Sequence, residues 1–258
     1  LAWILLRPAF AHPALDRENY RGRHLPTAAG VVIAIAVLAV EAGRVVAGRG
    51  PGPNRVAVGL VVCGLALLGL LDDLAGTGDA RGFRGHLTAL AGGRLTTGGA
   101  KFLGGAAVAL IAASVVDGDI GIVRVLVDGA VIALAANLGN LFDRAPGRAI
   151  KVGTLAGLLL AVGTGGAVAL TGVMVVTGAS LALLPEDLHE RLMVGDTGAN
   201  ALGGALGLGL VLTLGETGRL VTLVALVLAN LASEVVSFSR VIDAVPPLRL
   251  LDRAGRRP

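Results

Sequence analysis

The residues able to do chemistry fall in a few short stretches, each beside a long apolar run. Leu70-Leu71-Asp72-Asp73 closes one run with two adjacent carboxylates. At a helix C-terminus such a pair opposes the macrodipole, and at a membrane edge it is costly without a compensating cation. A divalent metal is the economical candidate. Consecutive helical residues point about 100° apart, so the two aspartates should take different partners. In Asn137-Leu138-Gly139-Asn140-Leu141-Phe142-Asp143, two amides and a carboxylate recur at every third position, near one helix face. Amides of this kind can simply join helices, but their alignment with a carboxylate favours a site. Val194-Gly195-Asp196-Thr197-Gly198 puts a glycine-flanked carboxylate at a helix start. Small residues there allow close approach, and the N–H groups of a helix start can bind phosphate. As an N-cap alone the motif is unremarkable. Lys101 and Lys151 are the chain's only lysines. A compact ammonium suits a single phosphate oxygen, although an ordinary membrane anchor explains Lys101 equally well. The basic stretch from Asn19 to Thr27 reads most simply as a loop in which Pro26-Thr27 opens a helix.

The elements that must hold these groups are apolar helices. Of the 258 residues, 54% are hydrophobic, and the mean hydropathy of +0.80 exceeds what a soluble domain of this length normally reaches. Apolar runs occur near 28–47, 56–74, 101–116, 121–142, 149–163, 166–184, 199–215 and 219–239. They do not alternate with period two, which excludes a barrel. The fold class is therefore all-α, a polytopic transmembrane bundle of about eight or nine spans. The chain reads as a single integral membrane domain, with residues 1–10 the end of one more helix and 240–258 a basic cytoplasmic tail. Several runs fall below the ~20 residues of a full span, and the weakest division is at Gly163-Thr164-Gly165-Gly166. Forty glycines, spread through the runs, allow close helix packing.

Charge placement fixes an orientation. With the N-terminus outside, the inner segments hold Arg17, Arg21, Arg23, Arg81, Arg84, Arg94, Lys101, Arg144, Arg148, Lys151, Arg191 and Arg240. The outer ones hold Arg44, Arg49, Arg55, Arg124 and Arg219. This is the positive-inside asymmetry, and it puts all the polar stretches at cytoplasmic helix ends. The net charge of +4 thus reflects topology and phosphate contacts, and nucleic acid is not an expected partner. Cys63, alone inside an apolar run, reads as a small core residue.

Taken in order, these motifs resemble the polyprenyl-phosphate N-acetylhexosamine-1-phosphate transferases, over roughly residues 15–240. The family's Pro-Thr helix start is similar to Pro26-Thr27, its paired aspartates to Asp72 and Asp73, and its following lysine to Lys101. Its Asn-x-x-Asn-x-x-Asp motif matches Asn137, Asn140 and Asp143, and its Gly-Asp-x-Gly motif matches Gly195, Asp196 and Gly198 with the later Leu202-Gly203. The resemblance implies transfer of a sugar phosphate from a nucleoside-diphosphate sugar, usually UDP-linked, to a polyprenyl phosphate. UMP would be released at the cytoplasmic face of a bacterial plasma membrane, and the resemblance is compatible with a homodimer. It further implies Mg2+, with Mn2+ as a substitute, on Asp196 and Asp143. Asp72 and Asp73 would position the lipid phosphate, Lys101 would neutralise phosphate charge, and Asn137 and Asn140 would orient the donor. Thr27, Gly195 and Gly198 would line the substrate site.

The chain departs from the family at Asp143-Arg144-Ala145-Pro146-Gly147-Arg148, where a second acidic position is Pro146. The late histidine-rich loop is missing, since His12, His24, His86 and His189 form no cluster. Arg144 and Arg148 are therefore expected to take over contacts to the donor's phosphates. Three other readings compete. An inactive scaffold would release no UMP, and a transporter would move substrate unchanged. A CDP-alcohol phosphotransferase would carry a longer aspartate-rich signature.

Overall fold

The computed structural model describes residues 7–75, 97–117 and 121–257. About 78% of it is helix. Each apolar run becomes one helix: α1 (Val31–Val46), α2 (Pro53–Ala75), α3 (Thr97–Asp117), α4 (Ile122–Phe142), α5 (Arg148–Gly163), α6 (Thr171–Leu188), α7 (Gly195–Thr213) and α8 (Glu216–Val235). Two short helices follow, α9 (Phe238–Ala244) and α10 (Pro246–Arg253). The division at Gly163–Gly166 is real: α5 stops there, Gly165 and Gly166 take positive φ, and a 3-10 turn over Val168–Leu170 leads into α6. Residues 1–6 of the expected first helix lie outside the described residues, and Ala9–Ala11 form a single 3-10 turn.

Fewer helices than the expected eight or nine spans have the length and hydropathy of a full crossing. Among the described residues, five helical segments are long and apolar enough to cross a membrane: Pro53–Ala75, Gly98–Val116, Ile122–Phe142, Val168–Leu188 and Glu216–Val235. The shortfall has physical causes. Helices α1 and α5 are 16 residues long, under the ~20 a span requires, and α7 is glycine-rich with a polar start. These apolar helices are compatible with a membrane protein. So is the outward face of α8, where Leu220, Val221, Val224, Leu228 and Leu231 are exposed.

Helix α7 is the hub. It packs against α4 and α2, and most of its residues are buried. The contacts are backbone on backbone. A Cβ on Gly203 would lie 2.4 Å from the carbonyl oxygen of Ala135, and one on Gly139 would lie 2.6 Å from that of Ala199. Small residues let α4 and α7 approach this closely.

Before α1 the chain makes a small antiparallel hairpin, β1 (Asp16–Glu18) with β2 (His24–Pro26). The all-α expectation did not include it. Asn19 turns it, accepting the N–H groups of Arg21 and Arg23 at 2.8 and 3.0 Å. The segment after β2 then pairs with the lead-in to α7. Met193 N–H donates to Pro26 O, while Ala29 and Gly30 N–H donate to Met193 O and Val194 O. The N-terminal hairpin is thereby fixed beside Gly195.

Candidate functional site

The C-terminal ends of α2 and α4 meet the N-terminal ends of α3 and α7 at one end of the bundle. Asp72 and Asp73 diverge there, as neighbouring helical residues must. Asp73 turns to α7. Its carboxylate accepts the N–H groups of Asp196 and Thr197, each at 3.1 Å, and the Thr197 hydroxyl at 2.6 Å. Asp72 turns to α3, with its Oδ2 3.7 Å from Lys101 Nζ. The Lys101 ammonium also contacts Asp196 Oδ2 directly. Asn140 joins the same group. With its amide oriented to suit both neighbours, it donates to Asp196 Oδ1 and accepts from Lys101 Nζ at 3.1 Å. Arg17 offsets the dipole of α2 by donating to Leu74 O at 2.8 Å.

Asp143 sits just beyond α4 and is half-buried. Burial pushes its carboxyl well above the ordinary value. The negative charges of Asp187, Asp196 and Asp73 add to this, and Arg144 opposes it. The loop carrying Asp143 is held by Asp187, which accepts Gly147 N–H at 2.8 Å. Gly147 has φ +71° and packs against Leu184 and Leu188, so only glycine fits.

Several expected roles change in three dimensions. Asn137 does not join the cluster; it donates to Asn230 Oδ1 of α8 at 2.6 Å, and Asn230 in turn donates to Leu134 O and Leu226 O. The reason is helical drift. Each three-residue step rotates by about −60°, so Asn137 lies about 120° from Asp143 and serves as helix glue. The N-terminus of α7 is not an open phosphate cradle either, because Asp73 already occupies two of its leading N–H groups. Gly198 is a packing residue: a Cβ there would lie 2.8 Å from Gly30 Cα. Gly195 has φ +69°, and a Cβ on it would strike the Asp73 carboxylate. Thr27 is buried, with its N–H donating to Leu15 O.

Arg148 is committed elsewhere. It is 5% exposed, pairs bidentately with Asp252 at 2.7 and 2.9 Å, and donates to Ser239 at 2.7 Å. Three of its five N–H donors are thus taken up by the C-terminal segment. Arg144 remains exposed beside Asp143, and among the described residues its side chain makes no hydrogen bond.

Sequence reasoning passed over Asp187, Glu190 and Asp252. Glu190 is buried and holds the N-terminal hairpin through Arg21, Arg23 and Asn19. An acidic residue opposite the basic Arg21–Arg23 stretch was the only available hint. Arg81, Arg84 and Arg94 lie outside the described residues.

Asp73 is thus a positioning residue for Asp196, whereas Asp72 lines the open side of the cluster. Asp73→Ala is expected to lower stability by about 2 kcal/mol through loss of the cap. Asp72→Ala should cost under about 1 kcal/mol. Thermal unfolding in detergent checks this, and equal losses would refute the division of labour.

The arrangement defines a mainly helical bundle with hard oxygen donors, one ammonium and one amide gathered at one end. Neither a protein-family model nor a curated protein matches the chain.

Among the described residues, no three carboxylate, histidine or cysteine side chains form a ready metal cage. Mg2+ does not require one, because it commonly takes one or two carboxylates and completes its shell with water and phosphate oxygens. Oxygen donors from one or two of these carboxylates are chemically suited to Mg2+ of this kind.

Proposed function

We propose that the protein transfers a sugar phosphate, of the N-acetylhexosamine type, from a UDP-sugar to a polyprenyl phosphate. The observation that carries this reading is the convergence of Asp72, Lys101, Asn140 and Asp196. Four different helices supply them, and Asp143 sits just beyond α4. Several carboxylates around one ammonium leave an excess of negative charge, which a divalent ion and a phosphorylated substrate can balance together. The order and type of these residues also resemble the transferase family described above.

In this reading an oxygen of the lipid phosphate attacks the β-phosphorus of the donor. A new P–O bond forms, the bridging bond to the α-phosphate breaks, and UMP leaves. Asp196 and Asp143 would hold Mg2+, which supplies charge neutralisation when bound. Lys101 neutralises phosphate charge beside Asp72, where the lipid phosphate docks. Asn140 orients Asp196 and Lys101, and Asp73 holds the start of α7 in place.

The site end would face the cytoplasm of a bacterial plasma membrane. The excess of arginine at that end supports this orientation. The alternating directions of α1 to α8 support a bundle in which the short α1 and α5 and the central α7 also cross the bilayer, shielded by the longer helices.

The test is UMP release by purified protein with undecaprenyl phosphate, Mg2+ and a panel of UDP-sugars, using Asp196→Asn as the blank. Release above the blank with one donor is expected. No release with any donor, from protein shown to be folded, would overturn the reading.

A further inference from the structure

A second polar feature lies beside the carboxylate cluster and is not needed to hold it together. A cavity of about 590 Å3 opens between the N-terminal hairpin, the loop after α4 and the C-terminal helices. Its wall carries six arginines and one carboxylate, Asp243. The volume lies in the range of small-molecule sites.

The two ends of the chain are brought together to build it. Arg21 comes from the hairpin and donates to Arg257 O at 3.4 Å, across 236 positions of sequence. Helix α9 is anchored by Phe238, stacked on Phe142 with centroids 5.3 Å apart. Helix α10 is capped by Lys151 Nζ, which donates to Leu251 O, Asp252 O and Ala254 O. Beneath the cavity, Asp252 holds both Arg148 and Arg256. Surface anchors of a membrane protein splay into solvent, whereas here six arginines from both ends of the chain and from the loop after α4 line one cavity, two of them fixed on Asp252.

The charges in this wall are not balanced. Asp252 is shared by two arginines, Glu190 is shared by Arg21 and Arg23, and Asp243 meets Arg253 at 3.3 Å. The side chains of Arg144 and Arg257 have no hydrogen bond or ion pair among the described residues. These two planar guanidinium forks, beside four that are already paired, suit an anion with several oxygens, above all linked phosphoryl groups.

We propose that this pocket binds a diphosphate-bearing anion. Arg144 and Arg257 are the principal contacts, Arg253 and Arg21 supply the rim, and Tyr20 offers an exposed ring beside them. Resting on the transferase reading above, that anion is the diphosphate of the nucleotide donor. Arg144 directly follows Asp143, so their Cα atoms are about 3.8 Å apart. A diphosphate held by Arg144 would therefore lie one residue along the chain from Asp143.

The experiment is calorimetric titration of the full chain in detergent with inorganic pyrophosphate and with UDP, in excess EDTA. Without a bridging cation, the carboxylate cluster repels anions and contributes no binding. Saturable binding of both probes is expected, weakened at least tenfold in Arg144→Gln/Arg257→Gln with an unchanged melting temperature. It should also fall steeply with added salt. No saturable binding to the parent protein, or equal affinity in the double variant, would overturn the proposal. A nanodisc arm separates the sources. If soluble diphosphate is the ligand, affinity in phosphatidylcholine and phosphatidylglycerol discs is the same. Loss of pyrophosphate binding only in phosphatidylglycerol would overturn the donor assignment and give the pocket to a lipid phosphate. Binding of UDP without turnover on any donor would sink the transferase reading and leave the pocket intact.

Discussion

Gly69→Ala is expected to lower stability by about 3 kcal/mol and, under the proposed transferase reading, to abolish UMP release. A Cβ at this position would lie 2.5 Å from the backbone of Asp196 and Thr197. No side chain stands in the way to give ground, so helix α2 itself must retreat from α7. Gly69 and Asp73 are one helical turn apart and share a face, so the retreat carries Asp73 away from the N–H groups that it holds. One methyl group therefore loosens both the packing and the positioning of Asp196. Gly59→Ala on the same helix is the control, since nothing lies within 4 Å of its Cβ and alanine is the better helix former. Gly195→Ala should act at the same place by another route, combining φ +69° with a Cβ 2.5 Å from the Asp73 carboxylate. Thermal unfolding and UMP release on these three variants check the argument. A wild-type melting temperature for Gly69→Ala would show that α2 and α7 are not in fixed register.

The same contact explains what sequence could and could not reveal. Apolar length and spacing located the eight long helices, because each run must satisfy its own backbone. They could not count spans, since the helix lengths of α1 and α5 and the glycine content of α7 depend on shielding by neighbours. Motif spacing identified Asp72, Lys101, Asn140 and Asp196, which do meet. It misjudged Asn137, because a three-residue step is not a whole turn, and Arg148, because its partner Asp252 lies 104 residues away. Gly69 gave no signal at all. Within a glycine-rich membrane-type helix, a residue whose role is to be absent cannot be told from one that merely fills space. The arginine pocket was hidden for a related reason: the C-terminal arginines resemble an ordinary basic tail until α9 and α10 fold them against Arg21 and Arg144.

Asp252→Ala is expected to destabilise the protein by about 3–5 kcal/mol. Asp252 is itself buried and accepts from Arg148 at 2.7 and 2.9 Å and from Arg256 at 2.6 Å. Removing it strands a guanidinium that is 5% exposed and leaves Arg256 with only Pro146 O. Burial alone would push the Asp252 carboxyl up, but the hydrogen bonds and charge of Arg148, then of Arg256, hold it below the ordinary carboxylate value. A carboxyl lowered in the folded state contributes stability above its unfolded pKa and loses it as pH falls through the folded one. The pair should therefore hold at neutral pH and weaken only below about pH 4. Both melting temperature and tryptic release of the segment after α8 should report the loss in Asp252→Ala. The double variant Arg148→Met/Asp252→Leu distinguishes a stranded charge from a missing attraction. Replacing both partners with apolar side chains removes the desolvation cost along with the bond, so stability should return towards the parent while the pocket loses an arginine. If the double variant melts as low as Asp252→Ala, the ion pair itself holds α10 in place, and the stranded-charge account is wrong.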